Sequence, residues 1–296
     1  TELSRYDRRF NGVQSAYESR HLGYTAFAAR NAQSYVHDEI QGNGTSGLYH
    51  LARQQILLNS ERIRLETRDR YHNERVISTQ QLSSYLDYTL DYYSGALFFK
   101  QPVPSFDENM NPVYIVAEYE VMRAGDQSIT AGGRVAVKAA GDRLELGVTM
   151  VNEGADTGSN RLGGADLRVK LTSTSELKAE VSHTSSAAGT ANLLTGFNNV
   201  PGASTSATAQ GSGTAYLVTL QNHGKRLESE LYLRQLGVGF GLGQQSLGQG
   251  GTRKFGGNAR YLLDKHWSLQ MEAYREQSLQ LASTRTVADA GARYQS

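Results

Sequence analysis

The chain has no cysteine, only four prolines and no long apolar run. Without cysteine it forms neither disulfides nor thiolate metal sites, although this leaves the cellular compartment open. The sequence has no stretch of about 18 apolar residues, the length that a bilayer-spanning helix requires. The mean hydropathy is -0.49. These absences exclude a helical membrane protein, whereas the scarcity of proline leaves room for long, uninterrupted strands.

The chain also lacks an excess of charge of either sign. Its 30 Lys and Arg residues balance 29 Asp and Glu residues, and a net charge of +1 does not predict a nucleic-acid partner. The seven His residues are scattered without ligand spacing, so we predict neither a metal site nor a cofactor. The chain begins at Thr1 without Met or a signal peptide. We interpret it as a processed or excised piece, so export is an expectation.

Alternation of apolar and polar residues is the main positive signal. In the segment 142–152 the apolar residues occupy every second position: Leu144, Leu146, Val148 and Met150. Similar segments of roughly ten residues recur at 128–139, 162–171, 177–182, 227–234, 255–261, 267–272 and 288–294. Together these segments predict an all-β chain with about twelve antiparallel strands of membrane-spanning length.

The connections between these segments sort by length. Short polar turns lie at 140–142, 172–175, 222–225 and 263–266, and longer Gly- and Ser-rich loops lie at 153–161, 187–213, 236–252 and 275–284. Short turns on one rim and long loops on the other are typical of outer-membrane β-barrels, whereas nothing sorts the loops of a soluble β-sandwich. We therefore predict an antiparallel transmembrane β-barrel of about 12 strands, with the short turns in the periplasm.

The apolar rows contain many small residues, including Ala131, Gly133, Ala165 and Ala259. Small residues fill a large protein core poorly, but acyl chains leave no void beside them. The rows are therefore expected to face lipid, and the charged rows a wet lumen. Those charges form either a mixed-charge pore, a seat for a plug, or a ladder of cross-strand ion pairs worth roughly 0.2–1 kcal/mol each. The predicted lumen-lining charges are Arg134, Lys138, Glu145, Asp166, Arg168, Lys170, Lys178, Glu180, Glu228, Glu230, Arg260 and Glu272.

Three regions are expected along the chain. Residues 1–36 contain a first barrel hairpin around Ser19-Arg20-His21, residues 37–111 form a charged β insert, and residues 112–296 supply the remaining strands, beginning at 113–121. Counting strands places the insert on the short-turn rim. There the small periplasmic β insert would close the barrel from below or dock a protein partner.

Two stretches of the insert carry a family resemblance. They are Asp38-Glu39-Ile40-Gln41-Gly42-Asn43-Gly44 and Leu86-Asp87-Tyr88-Thr89-Leu90-Asp91-Tyr92-Tyr93-Ser94-Gly95-Ala96-Leu97-Phe98-Phe99. The region 37–121 resembles part of large Gram-negative surface proteins that end in an outer-membrane barrel, and it is similar to motifs in SprA of the type 9 secretion translocon. SprA is far longer, so its channel role does not carry over. Barrels of this kind usually end on an aromatic residue, whereas Tyr294 is two residues short of the end, so we expect further strands or other chains to complete the wall.

Three smaller groups of residues give further predictions. Trp267, Tyr261 and Tyr294 stand near strand ends and are predicted as an aromatic girdle, against ordinary enrichment of Tyr in strands. The Gly-rich stretch 237–243 predicts a strand extension or close-packed loop, preceded by a bulge near Arg234-Gln235. His183 and Asp156 would be the partners in a barrel hydrolase, but nothing sets their geometry, so no catalytic residue is predicted.

The sequence thus predicts a non-catalytic outer-membrane β-barrel, acting as a conduit or membrane anchor in a larger surface or secretion assembly. Its partners would be the lipid bilayer of a bacterial outer membrane and a protein bound at the insert or at the long extracellular loops. The alternative is a soluble all-β binding or adhesion module that recognises a ligand through its loops at 187–213 and 236–252.

Overall fold

A computed structural model describes residues 1–6, 11–31, 33–122, 128–155, 158–185, 211–241, 250–281 and 283–294. Regular structure within these ranges consists of antiparallel strands, which confirms the predicted all-β class. Over the same ranges no helix is long and apolar enough to cross a membrane. The strands are β1 (Gly12–Glu18), β2 (Leu22–Asn31), β3 (Gln33–Gln41), β4 (Tyr49–His50), β5 (Arg62–Arg68), β6 (Val76–Gln81), β7 (Tyr88–Asp91), β8 (Ala96–Phe99), β9 (Val113–Met122), β10 (Ser128–Ala139), β11 (Leu144–Ala155), β12 (Gly158–Lys170), β13 (Ser175–Ser185), β14 (Ser212–His223), β15 (Leu227–Leu236), β16 (Thr252–Leu262), β17 (Trp267–Ser278) and β18 (Thr284–Tyr294).

The largest sheet, which we call the wall sheet, has eleven strands in the order β1-β2-β10-β11-β12-β13-β14-β15-β16-β17-β18. Each strand pairs with the next along the chain except between β2 and β10, where the chain leaves the sheet and returns beside Asn31 at Ser128. About twelve strands were predicted, so the count is close. Among the described residues no sheet closes on itself, because β1 and β18 are the two ends of this one.

The connections define two rims of the wall sheet. The short-turn rim carries the connections 19–21, 140–143, 171–174, 224–226 and 263–266, in agreement with the sequence. The long-loop rim differs from the prediction because pairing continues through two expected loops. Ala155 and Gly158 are direct partners where a loop over 153–161 was expected, and only residues 279–283 separate β17 from β18.

Strands β3 to β9 form a separate unit, the insert domain (33–122). It contains a four-stranded sheet, β3-β9-β5-β6, and a three-stranded sheet, β4-β8-β7. Apolar side chains of both sheets meet in one buried core, as in any small globular domain. Its members are Tyr49, Leu51, Ile56, Ile63, Tyr88, Leu97, Phe99, Val103, Val113, Ile115, Ala117 and Tyr119.

Two expectations about the insert are wrong. Strand β9 was assigned to the barrel, but it pairs with β3 and β5, and Ile115 and Tyr119 point into the insert core. The insert therefore spans 33–122 instead of 37–111. Without β9 among the wall strands, the insert lies at the long-loop rim and not, as predicted, at the short-turn rim. The chain enters the insert after Asn31 and leaves it before Ser128, and both residues are at the long-loop rim.

The wall sheet is polar on its inner face and apolar on its outer face. Leu146, Met150 and Met271 on the outer face are 52%, 69% and 55% exposed. On the inner face Glu180 and Lys254 are buried. The insert domain and residues 1–6 lie against the inner face, so here the charged side of the sheet is the covered side.

The N-terminal segment contacts widely separated strands of the wall sheet. Tyr6 stacks on Phe27 of β2 with ring centroids 5.8 Å apart, and Glu2 bonds to Arg234 of β15. These two strands are six positions apart in the sheet, so residues 2–6 cross its inner face.

Candidate functional site

The inner face of the wall sheet, residues 1–5 and the insert domain enclose a cavity of about 1230 Å³. Its lining is mostly charged. Seven of the twelve charges predicted to line a lumen border this space: Arg134, Glu145, Asp166, Arg168, Lys178, Glu180 and Glu230.

The other five predicted charges lie on the same face, away from this cavity. Lys138 donates to Glu18 at the short-turn rim, with Nζ 2.9 Å from Oε1. Glu272 bonds to the insert domain. Lys170 is opposite Glu176, and Glu228 is opposite Arg260, so register places them inward but outside the cavity lining.

Arg134 is the centre of an ion-pair ladder on the inner face. Its guanidinium, which extends from β10, makes a bidentate contact with Asp166 of β12 and donates to Glu145 of β11 at 3.2 Å. The side chain crosses β11 above Gly147. A Cβ at that position would lie 2.4 Å from the guanidinium nitrogens, so the contact requires glycine there.

The ladder continues along the next two strands. Glu176 forms ion pairs with Arg168, whose Nε lies 3.1 Å away, and with Lys178, whose Nζ lies 3.2 Å away. These groups are a quarter to a half exposed, so each pair contributes only about 0.2–1 kcal/mol. Cross-strand pairing and a charged cavity lining, which the sequence left as alternatives, occur together.

The β5–β6 connection, residues 69–75, reaches into the wall sheet; we call it the insert tip. Asp69 Oδ1 accepts the backbone N–H groups of Tyr71 at 2.7 Å and His72 at 2.8 Å. Backbone bonds from Asp69 to Arg75 and from Arg75 to His72 close the turn. An aspartate whose side chain accepts the N–H groups two and three residues later is common in tight turns. It fixes the direction in which His72 projects.

His72 is the most buried contact of the insert tip. Its ring packs between Tyr232 and Tyr274, with centroids 5.9 and 5.0 Å away. Lys254 Nζ and Glu74 Oε1 both contact His72 Nδ1, at 3.0 and 3.2 Å, and His72 Nε2 bonds to Glu272. Both ring nitrogens are therefore satisfied by wall residues.

Charged pairs surround this histidine. Lys254 also donates to the Tyr71 carbonyl at 2.8 Å and to Glu74 at 3.2 Å, and Arg75 donates to Glu230 at 3.2 Å. Burial alone would raise the pKa of Glu74, but the His72 hydrogen bond and the Lys254 charge lower it to about 2. The tip is thus anchored to three neighbouring strands, β15, β16 and β17.

The four-stranded sheet of the insert domain has a second charged cluster on the face opposite its core. Arg68 makes two bonds to Glu39, at 3.0 and 2.8 Å, and two to Glu66, at 3.0 and 2.6 Å. Arg64 bonds to Glu66 and Glu118, each at 2.8 Å. Arg64 and Glu118 also line the cavity, so the insert and the wall present charged faces to each other.

His37 completes this cluster between two carboxylates. Its ring lies 3.2 Å from Glu39 and 3.6 Å from Glu118. Burial would lower the pKa of His37, but the nearby carboxylates of Glu118 and Glu39 outweigh it and raise that pKa to about 9. The pKa values of Glu39 and Glu118 fall to about 2, with His37 and the neighbouring arginines as the causes that overcome burial. At neutral pH the cluster is charged and paired.

The three predicted girdle residues lie together. Trp267 and Tyr294 are direct cross-strand partners with ring centroids 5.2 Å apart, and Tyr261 lies at the end of the adjacent strand. All three are on the outer face at the short-turn rim. Tyr17 and Tyr24 stack at 5.9 Å on the same rim and were missed, although they flank the turn 19–21.

The predicted bulge near Arg234-Gln235 is wrong. Strand β15 keeps regular register through Gln235 to Leu236 with both neighbours. The chain then turns inward, held by bonds from Gly237 N–H to Thr214 O and from Phe240 N–H to Gly237 O. This buries Phe240 in an apolar cluster with Leu3. Residues 242 and 243 of the Gly-rich stretch lie outside the described residues.

The remaining residues weighed from the sequence are only partly described. His183 is on the outer face, where Nδ1 lies 2.9 Å from Thr214 Oγ1, and Asp156 lies outside the described residues. Within the described ranges no three His, Asp or Glu side chains are grouped as metal ligands. Most of the loop 187–213 and part of 236–252, the predicted ligand-binding loops, also fall outside those ranges.

Sequence reasoning missed the residues that hold the insert tip. Lys254, Tyr232 and Tyr274 share the alternating phase of Arg260, Glu230 and Glu272, so a signal for their inward placement was present. His72 had none, because its contact joins residues 200 positions apart.

Comparisons of the chain with protein-family models, with curated proteins and with solved structures yield no match. The resemblance to surface-protein barrels and to the type 9 secretion translocon therefore stays a prediction.

Proposed function

We propose that the chain forms the wall and the internal plug of a β-barrel in a bacterial outer membrane, serving as a conduit or membrane anchor in a larger surface or secretion assembly, with no chemistry of its own. One observation carries the proposal. The outer face of the wall sheet is apolar and exposed, while the inner face is charged and covered. That polarity suits a sheet between lipid outside and water inside.

The soluble alternative fits this surface poorly. Exposed apolar patches on soluble monomers rarely exceed a few hundred Å². Here large apolar side chains are exposed along most wall strands: Ile129, Val135, Val137, Leu146, Val148, Met150, Val181, Val218, Leu231, Phe255 and Met271. The described residues form no second sheet that covers this face. No observation favours a ligand-binding role for the outer loops.

The shape of the apolar band supports the same proposal. Its end nearest the long-loop rim is Met150 on β11, followed by Asn152, and Ala273 on β17, followed by Arg275. The strand pairing from β17 back to β11 places Ala273 level with Leu144, which is six residues nearer the short-turn rim than Met150. The opposite end of the band, Leu144 on β11 and Trp267 on β17, shifts by the same number of residues in the same direction. The band therefore slips about one residue per strand, a tilt of roughly 35° at the usual strand spacing. Barrel strands tilt by 35–45° in membranes.

The interior explains why such a conduit would be closed in this state. The insert tip reaches Glu230 and Glu272, halfway along their strands, and residues 1–6 lie beside Glu180. Both occupants are held chiefly by polar contacts, which can exchange with water. The proposal is thus a plugged barrel that conducts only after its contents move.

The two edge strands of the wall sheet run in the same direction. β1 and β18 both run from the long-loop rim to the short-turn rim. Unpaired backbone groups are costly in lipid, so both outer edges need a partner in the membrane. They can pair with each other in parallel, or a strand of opposite direction can lie between them.

Reconstitution tests the proposal directly. We expect the purified chain to float with phospholipid vesicles and to run as a heat-modifiable folded band in SDS gels. A chain that stays soluble without detergent and fails to bind vesicles would contradict the membrane role.

A planar-bilayer recording separates conduit from anchor. The intact chain is expected to show low conductance, and a variant with residues 34–121 replaced by a short flexible linker a several-fold higher one. The matched control is Asn109→Gly, at an exposed loop of the insert domain, which should leave the conductance low. Low conductance of the deletion variant in a folded, inserted state would leave only the anchor role.

A further inference from the structure

Residues 2–4 are held on the inner face by one buried carboxylate. Glu180 Oε2 accepts the backbone N–H of Glu2 at 2.7 Å, and Oε1 accepts the backbone N–H of Ser4 at 2.7 Å and its hydroxyl at 2.6 Å. Glu180 itself is 8% exposed. A buried carboxylate left without such donors is strongly disfavoured. This site therefore requires two backbone N–H donors at alternate positions, a pattern that a peptide supplies.

The side chain between these two donors occupies an apolar pocket. Leu3 is buried against Ala215 and Leu217 of β14, Leu236 of β15, and Phe240. The inward turn after β15 brings Phe240 there, and Thr184 Oγ1 accepts the N–H of Gly241 to hold the turn in place. The pocket fits one large aliphatic side chain.

The neighbouring positions are also matched to their side chains. Glu2 forms an ion pair with Arg234. Ser4 packs above Gly164, where a Cβ would come within 2.8 Å of the Ser4 Cβ. Only a small residue fits at the fourth position, and the glycine beneath it makes room. Tyr6 stacks on Phe27 and bonds to Glu153 at 3.3 Å.

We propose that the inner wall contains a peptide-binding site for the sequence pattern acidic, large aliphatic, small hydroxyl, and that residues 1–6 occupy it as a displaceable internal ligand. Binding itself does not depend on the membrane. The role of the site, to hold a polypeptide segment inside the conduit, rests on the proposed function. The cavity of about 1230 Å³ borders Glu2, Leu3, Glu180 and Leu217, so an incoming segment has space beside the resident one.

The test uses the full chain in detergent and a fluorescent hexapeptide with the sequence of residues 1–6, Thr-Glu-Leu-Ser-Arg-Tyr. The Leu3→Asp variant should release its own segment, because a charge is disfavoured in the apolar pocket. Fluorescence anisotropy is expected to show saturable binding to Leu3→Asp and at least tenfold weaker binding to the unmodified chain. A peptide with Asp at its third position should not bind.

Two further variants identify the carboxylate. Adding Glu180→Gln to Leu3→Asp should weaken peptide binding at least tenfold. Adding Glu228→Gln, an inner-face carboxylate that lies outside the cavity lining, should leave it unchanged. Equal binding by the Glu180→Gln variant, or no saturable binding to a folded Leu3→Asp variant, would overturn the proposal.

A second measurement avoids destabilised variants. The chain has no cysteine, so Thr1→Cys places a single dye on the segment. Excess hexapeptide should lower the dye's anisotropy as the segment leaves, whereas the peptide with Asp at its third position should not. An unchanged signal at saturating hexapeptide counts against displacement.

Because the binding assay needs no bilayer, its outcome is independent of the vesicle and conductance experiments. Peptide binding without membrane insertion would retain the site and reject the barrel role. Insertion without peptide binding would do the reverse.

Discussion

The wall sheet and the insert domain are built from the same alternating pattern but bury opposite faces. In the insert, Ile63 and Ile115 turn to a dry core, and charged neighbours such as Arg64 lie on the other face. In the wall, Leu146 and Met271 are exposed, and charged neighbours such as Glu145 face the interior. Alternation therefore specifies two faces without specifying which one is covered.

The difference follows from what each sheet has beside it. The insert has two sheets whose apolar faces share one core, so hydrophobic burial is available within the domain. The wall is a single curled sheet whose contents are polar segments, so its apolar side has no protein partner among the described residues. Lipid is the environment that makes such a surface favourable.

The largest difference between the two regions is expected when one apolar side chain is truncated in each of them. Ile115→Ala should destabilise the insert domain by about 2–5 kcal/mol, because it leaves a cavity in a buried core. Leu146→Ala should cost less than Ile115→Ala, because lipid or detergent fills the space and only the transfer free energy of the removed atoms is lost. Hydrogen exchange of strands β5 and β9, with thermal unfolding in detergent, measures both. Equal losses would mean that Leu146 is covered by protein.

An introduced charge sharpens the contrast between the band and its boundary. Val148→Arg, in the middle of the apolar band, should reduce the free energy of unfolding in vesicles by about 2–4 kcal/mol. Asn152→Arg lies on the same strand and face but beyond the band, and it should cost about 0–1 kcal/mol. Urea titration of vesicle-folded protein measures both values. Similar small losses would argue against lipid at Val148.

The contact between the two regions can be weakened at Lys254. Lys254→Met removes the donor to His72 and Glu74 and leaves their acceptors buried, so the tip should be loosened by about 1–3 kcal/mol. Faster hydrogen exchange across 69–75, with strands β3 and β9 unchanged, is the expected readout. Arg253→Met, the adjacent residue on the outer face, is the control. Unaltered exchange in the Lys254 variant would show that the tip is held by other contacts.

The charged cluster of the insert domain should also make its stability depend on pH. The raised pKa of His37 stabilises the fold fully below pH 6.5, and this stability is lost as pH rises towards 9, by at most about 1.4 kcal/mol per unit. The lowered pKa values of Glu39 and Glu118 act oppositely: their contribution is present above about 4.5 and is lost as pH falls towards 2. Insert stability should therefore be highest between about pH 4.5 and 6.5.

Thermal unfolding of the insert domain from pH 4 to 9 tests this window, with His37→Gln as the matched variant. The substitution should remove the decline above pH 6.5 and reduce, without abolishing, the decline below 4.5, because Arg64 and Arg68 still lower the pKa values of Glu118 and Glu39. A variant that retains the alkaline decline would assign it to another group.

Local periodicity was enough to predict the all-β class, most wall strands and the shared face of the twelve charges. It failed where two segments with equal alternation belong to different sheets. Strand β9 looks like a wall strand because Val113, Ile115 and Tyr119 alternate as wall residues do, and only its pairing with β3 and β5 reveals the error. The expected position of the insert failed with it.

Sequence alone determined which residues share a face, because a strand turns successive side chains to opposite sides. Tertiary structure alone decided that the charged face of the wall is inward, that the insert enters from the long-loop rim, and that His72 and Leu3 are bound inside. Those outcomes join residues as many as 232 positions apart. Curvature and strand partnership bring such residues together, and no local pattern encodes either.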